Sequence, residues 1–279
     1  MYGLTIKKIR HGKGLTQKDV CTGIVTSSYY SRIERDVSLP TIEVFLKILQ
    51  TLDVTFDEFM YIHRGYTESW ENKLWFNITE LYHTNDIEGL EQTKTMLLKR
   101  KNKISELYVD VVEIFIMRLS NIFSTRHQAE KLIKRLMRIE DWTSSEVKIF
   151  ISLMDQISME TLFTIVNRLL KTKKLYTSSK GYNSYYNKIL INTILMCIEN
   201  RDVSNEWYYL TKLKDNLEVR DMYSKNMCLY FEGIFFYLSG NIEIGEEKIE
   251  QAFCIWKTLD MEDFSKKYES YFENLKSSV

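Results

Sequence analysis

Apolar residues spaced three and four apart recur along this chain, and they predict helix after helix. The first helix runs from Leu4 to Lys13, with Leu4 and Ile9 apolar, Lys7, Lys8, Arg10 and Lys13 basic, and Gly12 and Gly14 as its stop. Thr16 caps a second helix, its hydroxyl taking an orphan backbone N–H of the first turn. On that helix Val20 faces inward, and Cys21 stands where two helices must cross closely. Gly23 falls in the turn. Thr26 caps a third helix, with Tyr30 and Ile33 on its inner face. Pro40 breaks the chain, and Thr41 caps a fourth helix carrying Val44, Phe45, Ile48, Leu49 and Leu52. After the turn at Asp53-Val54, Thr55 caps a short fifth helix with Phe56, Phe59 and Met60. Such a module closes around one core, expected to hold Ile33, Leu39, Val44, Leu52, Val54 and Phe59.

Residues 63–68, with Gly65, read as a linker between a domain at 1–62 and a second at 69–279. The second is expected to be helical throughout, with segments at 69–82, 86–100, 103–123, 127–140, 143–156, 159–175, 182–200, 204–218, 221–239, 241–258 and 261–276. Breaks fall at Asn85-Asp86, Ser124, Asp141, Ser158, Ser178-Ser179, Asp202, Asp221 and Gly240-Asn241. Short connections make successive helices antiparallel. Gly233, Phe236, Gly245, Ile249 and Ala252 occupy the small and large positions of a tetratricopeptide repeat. Small residues there let two helices approach, and large ones fill the space between. The expected fold is all-α: a five-helix module, then a superhelix of tetratricopeptide-like hairpins. A single unrelated helical bundle is the alternative for the second part.

Composition agrees with helix. A chain of 279 residues with only 10 glycines and one proline has few of the turns that sheets need. The formal net charge is zero, but its distribution is uneven. Met1 to Arg35 carries seven Lys or Arg against Asp19 and Glu34, whereas Asn241 to Val279 carries nine acids against five lysines. A basic head attracts phosphate without making the whole molecule sticky. Cys21, Cys197, Cys228 and Cys254 form no C-x-x-C pair and lie on apolar faces, so inert core thiols are expected. No signal peptide and no apolar run long enough to cross a membrane are present, which implies a reduced cytoplasmic protein with no membrane partner.

The candidate chemistry lies on the third helix. Ser27, Ser28, Tyr29 and Arg32 point outward near its N-terminal end, the end that enters a major groove in a helix-turn-helix. Ser27, Ser28 and Arg32 are expected to read bases of double-stranded DNA, Arg32 being the type that pairs with guanine in two places. Tyr29 is expected against a base methyl or sugar. Gln17, Arg10 and Lys13 are expected to hold phosphates. Paired half-sites predict a homodimer. Two further basic clusters, Lys99-Arg100-Lys101-Asn102-Lys103 and Lys131, Lys134, Arg135 and Arg138, could flank the operator or simply be solvated.

On TIKKIRHGKG before the motif, SRIER within the third helix and LDVTFDEF at the end, residues 1–62 resemble the XRE type of helix-turn-helix. They most resemble the N-terminal domain of the Rgg/GadR/MutR regulators of Gram-positive bacteria. The Cys21–Thr26 interval, one residue tighter than in typical phage repressors, fits that family. Asp36 departs from it, standing where glycine is usual; Asp tolerates a left-handed backbone better than most residues.

That resemblance implies a regulator of transcription whose second domain receives a short hydrophobic signalling peptide, as in quorum sensing. RNA polymerase is a further candidate partner. Polar and aromatic residues on apolar helices are the candidates for a peptide surface: Asn167, Arg168, Tyr185, Asn192, Tyr223, Asn226 and Tyr230. Hairpin-packing residues with satisfied polar groups are the plain alternative. So, for the whole chain, are a repressor with a non-peptide effector or none, and a repeat-domain adaptor with a vestigial helix-turn-helix. Enzymatic motifs are absent: no G-x-G-x-x-G, P-loop or H-E-x-x-H, and His11, His63, His83 and His127 are scattered. No catalytic residue, cofactor or metal ligand is expected.

Overall fold

The computed structural model describes residues 2–100, 103–120, 125–172 and 182–277. The expected breaks at Ser124 and Ser178-Ser179, and Lys101 and Asn102 of the first basic cluster, lie outside them. The described residues are helical, with no strand among them, and form two compact units, Met1–Leu90 and Glu91–Val279.

The first unit contains α1 (Tyr2–Gly12), α2 (Gln17–Cys21), α3 (Ser27–Glu34), α4 (Ile42–Thr51), α5 (Phe56–His63) and α6 (Trp70–His83). Each expected threonine caps its helix: Thr16, Thr26, Thr41 and Thr55 accept from the backbone N–H of Asp19, Tyr29, Val44 and Glu58. Asp19 and Glu58 reach back to complete capping boxes. The core holds Ile6, Ile9, Val20, Cys21, Tyr30, Ile33, Ile48, Leu49, Leu52 and Phe59, with Val44 and Val54 half-buried against it. Leu39 is not in that core; it is 78% exposed. The chain leaves α3 through Asp36 at φ 56°, a left-handed turn. The Tyr29 hydroxyl then donates to the Leu39 carbonyl at 3.1 Å, holding the backbone in and the side chain out. Leu4 is likewise exposed, and Ile6 fills the place beside Ile9. The segment read as a linker is the left-handed turn of Gly65 and Tyr66 after α5. The compact units divide later, within α7 (Ile87–Leu98).

The second unit continues with α8 (Lys103–Leu119), α9 (Thr125–Leu136), α10 (Ser144–Ile151), α11 (Met159–Thr172) and α12 (Tyr182–Glu199). It ends with α13 (Val203–Lys214), α14 (Met222–Leu238), α15 (Ile242–Thr258) and α16 (Glu262–Ser277). From α12 onward each helix packs on the next. The tightest seam is α14 on α15. A Cβ on Gly233 would lie 2.8 Å from the Gly245 carbonyl and 2.5 Å from Ile249, and one on Gly245 would lie 2.7 Å from the Tyr237 backbone nitrogen. The two backbones touch, as the tetratricopeptide spacing requires. The helix expected over 143–156 stops at Ile151 and resumes as a 3-10 turn at Met154–Gln156. There the Ser152 hydroxyl takes the Ile149 carbonyl at 2.7 Å and Arg118 takes that of Ser152, so local bonds replace the helical ladder. Cys21, Cys197 and Cys228 are buried; Cys254, expected inside, is exposed on α15.

Candidate DNA interface and receptor surface

Ser27, Ser28 and Arg32 project to solvent from α3, while Tyr30 and Ile33 on its other face are buried. The Thr26 cap ends the helix on this exposed side, so backbone N–H groups and short hydroxyls meet an approaching polyanion together. The Ser27 hydroxyl lies 3.3 Å from the Cys21 sulfur, which fixes the start of the helix against α2. Tyr29, expected on DNA, is half-buried and its hydroxyl is engaged by Leu39.

Arg10 and Gln17 were expected on phosphates, and the structure turns both inward. Arg10 is 5% exposed. Its Nε and Nη2 donate to the two carboxylate oxygens of Glu34 at 2.5 and 2.9 Å, and Nη1 donates to the Leu15 carbonyl at 2.7 Å. Gln17 Nε2 donates to the same carboxylate at 2.7 Å. A buried carboxylate needs such partners. Burial alone would raise the Glu34 pKa; the hydrogen bonds from Arg10 and Gln17 outweigh it and hold the carboxyl below its ordinary value. Glu34 therefore joins α1, α2 and α3 through one side chain. It was overlooked at the level of sequence, although Tyr30 four residues earlier marks its face as the inner one. Lys13 is exposed, its ammonium donating to the Asp53 carbonyl at 3.1 Å. Lys18 and Arg35, also exposed, add positive charge to the surface around α2 and α3.

Asp36 answers its own anomaly. Its carboxylate accepts the backbone N–H of Gly3 at 2.8 Å and of Leu4 at 3.2 Å. Gly3 is needed for that approach, because a Cβ there would fall 1.9 Å from the Ile33 carbonyl oxygen.

In the second unit the expected peptide residues divide. Asn226 is buried and donates to the Ala252 carbonyl at 2.9 Å, and Tyr230, fully buried, donates to the Tyr268 carbonyl at 3.0 Å. Both hold α14 to its neighbours and are not presented to a ligand. Arg168 is similarly occupied: its guanidinium caps the carbonyls of Met137, Ile139 and Glu140 at 2.7 to 3.1 Å. Tyr185 is half-buried with the Lys148 ammonium 5.9 Å from its ring centre. Asn192 is half-buried, its amide nitrogen 3.9 Å from the Met154 sulfur. Tyr223 is exposed and meets Phe264 edge-on. Asn167 accepts from the Tyr209 hydroxyl at 3.4 Å and lines a cavity of about 470 Å³ with Tyr186, Leu190, Tyr208 and Lys212.

Comparison with known proteins places these features. Residues 6–59 match the helix-turn-helix family, and residues 90–270 match the family described as the C-terminal domain of the HTH-type transcriptional regulator Rgg. Among solved structures, a transcriptional regulator from Listeria monocytogenes EGD-e superposes with TM-score 0.91 at 23% identity, over 99% of this chain and 97% of that one. A variant of the SHP pheromone receptor Rgg2 from Streptococcus dysgalactiae gives TM-score 0.83 at 20% identity, over 98% of each chain. A bacterial peptide pheromone/receptor complex gives 0.73 at 18%, over 99% of this chain and 98% of that one. At these identities the likeness is one of fold. The match over 90–270 spans most of the chain, and with a helix-turn-helix ahead of it this protein belongs to the Rgg family of transcriptional regulators.

Proposed function

We propose that the protein regulates transcription in response to a short, largely apolar peptide. It docks α3 in the major groove, with Ser28 and Arg32 on base edges, Ser27 at the groove wall, and Lys13 and Lys18 on flanking phosphates. The observation that carries this reading is the split of α3 into a buried Tyr30–Ile33 face and an exposed Ser28–Arg32 face, braced from behind by Glu34. The exposed Leu39, Ile42 and Leu46 near the end of that helix offer an apolar surface to a second copy, as paired half-sites require.

The peptide reading rests on the hairpins of the second unit and on relatives described as pheromone receptors. Stacked hairpins present an extended concave surface. On it Asn192 is the side chain best suited to a peptide backbone, with Tyr185 and Tyr223 as apolar contacts carrying polar tips. Calorimetric titration of short synthetic hydrophobic peptides into the full chain, followed by gel shift on the regulator's own promoter with and without the binder, tests both halves. A protein that binds DNA identically with every such peptide would overturn the peptide half alone.

A second reading keeps the DNA half and exchanges the effector. The cavity beside Asn167, about 470 Å³, is of the size that holds a small molecule.

A further inference from the structure

We propose that Glu206 is a proton-operated catch in the second unit: as the neutral acid it lets the first turns of α13 close onto α12, and loss of its proton drives that end of the helix open. Glu206 is completely buried, and neither of its carboxylate oxygens has a hydrogen-bond partner. An ionised carboxylate left so is far too costly to keep, so a folded chain either protonates it or moves it to water.

Among the described residues, no positive charge shifts its carboxyl; burial is the one cause acting on it. From α12 the Cys197 thiol faces it, buried and pushed up to about 12 by burial first and then by Asp202 and Glu206. From α16 the Tyr271 phenol feels both Glu199 and Glu206, and its own buried hydroxyl also lacks a hydrogen bond. Asp202 caps α13 through Asn205, accepting its backbone N–H at 3.1 Å and its side-chain amide at 2.7 Å. On α13 itself the Tyr209 hydroxyl is turned to Asn167. The acid of α14, Glu232, is paired with Lys214 and Lys248. Arg201, in the turn before α13, is exposed to solvent. The charges acting here are acidic, so opening, not pairing, is the response to ionisation.

Burial pushes the Glu206 carboxyl up to about 8, from 4.5 in an open chain. Between about 4.5 and about 8 the closed form holds a proton that the open form has given up. Each pH unit across that window favours the open form a further tenfold; above about 8 both forms are ionised and the balance levels off. The catch thus responds to pH up through neutrality, where an ordinary glutamate is already fully ionised and insensitive.

Amide hydrogen exchange of the full chain, corrected for intrinsic rates, tests this on the backbone of residues 206–213. In the native protein, protection there should fall about tenfold per pH unit between about pH 5 and pH 8 and level off above it, while the amides of α15 hold steady. In Glu206→Gln it should be higher throughout and flat with pH. Parallel profiles in the two proteins would overturn the proposal. The native chain alone gives a second check, needed if the variant does not fold. Its infrared spectrum should show the carbonyl band of a protonated carboxyl at pH 7 that disappears between pH 7 and 9. A spectrum lacking that band at pH 7 would also overturn it.

Discussion

The Asp36 carboxylate accepts the Gly3 backbone N–H at 2.8 Å, so the residue that ends the recognition helix also caps the first helix of the chain. It does this from a left-handed backbone position at φ 56°, where glycine would be conformationally easier. The conformational cost is offset by two hydrogen bonds to otherwise orphaned donors of α1.

Asp36→Gly therefore separates the two effects, relieving the backbone and removing the cap. The cap contributes about 1 kcal/mol and the relief about as much, so Asp36→Gly should be near neutral. Asp36→Ala, which loses the cap and keeps the strain, should cost about 1–2 kcal/mol. Urea unfolding of the full chain orders the variants.

Breaking the Arg10–Glu34 pair should be more severe. Arg10→Met leaves a buried carboxylate with only Gln17, and a loss of about 3–5 kcal/mol is expected in denaturant melts. The pair also has a pH signature. Because the Glu34 carboxyl is held below its ordinary 4.5 in the folded state, its contribution is present above that pH and drains away as the medium is acidified further. Glu34→Gln should flatten that acid limb.

Binding assays should distinguish reading from bracing. Arg32→Ala is expected to lower operator affinity by about 1–3 kcal/mol and to relax preference at one position. Lys18→Ala should weaken all sequences alike and reduce the salt slope by about one. Arg10→Met, whose side chain makes no part of the exposed face, should leave the slope unchanged in whatever fraction remains folded. Gel shifts across a salt series check all three.

Gly233→Ala or Gly245→Ala should part α14 from α15. Alanine ordinarily favours a helix over glycine by about 1 kcal/mol. Here the new methyl meets backbone atoms at 2.7 to 2.8 Å, which no side-chain shift can relieve. A net loss of about 1–3 kcal/mol is expected in thermal or urea melts. Gly12→Ala, with nothing within 4 Å, is the control and should stabilise.

Caps and breaks were legible in the sequence because their chemistry is local. A threonine two or three residues before an apolar run satisfies its own helix, and the four in the first unit all do so. Side-chain direction across a turn was not legible, since periodicity restarts there; Leu39 left the core for that reason. A polar stripe was equally ambiguous. Tyr223, Asn226 and Tyr230 follow one another at helical spacing on α14, but spacing reveals a face and not what covers it. Most of that side is the seam with α15 and α16, where Asn226 and Tyr230 find carbonyls. Arg10 shows the same limit for charge, a basic residue in a basic helix whose partner lies 24 positions away.

Glu34 gives the first unit a division of labour. The Arg10–Glu34–Gln17 cluster that locks α1, α2 and α3 together lies behind the recognition helix, and Ser28 and Arg32, the side chains proposed to read bases, lie in front of it. Changes on the front leave the rear lock untouched, so new operator sequences can be acquired one exposed residue at a time. Such a head can diverge quickly among relatives while its scaffold stays the same.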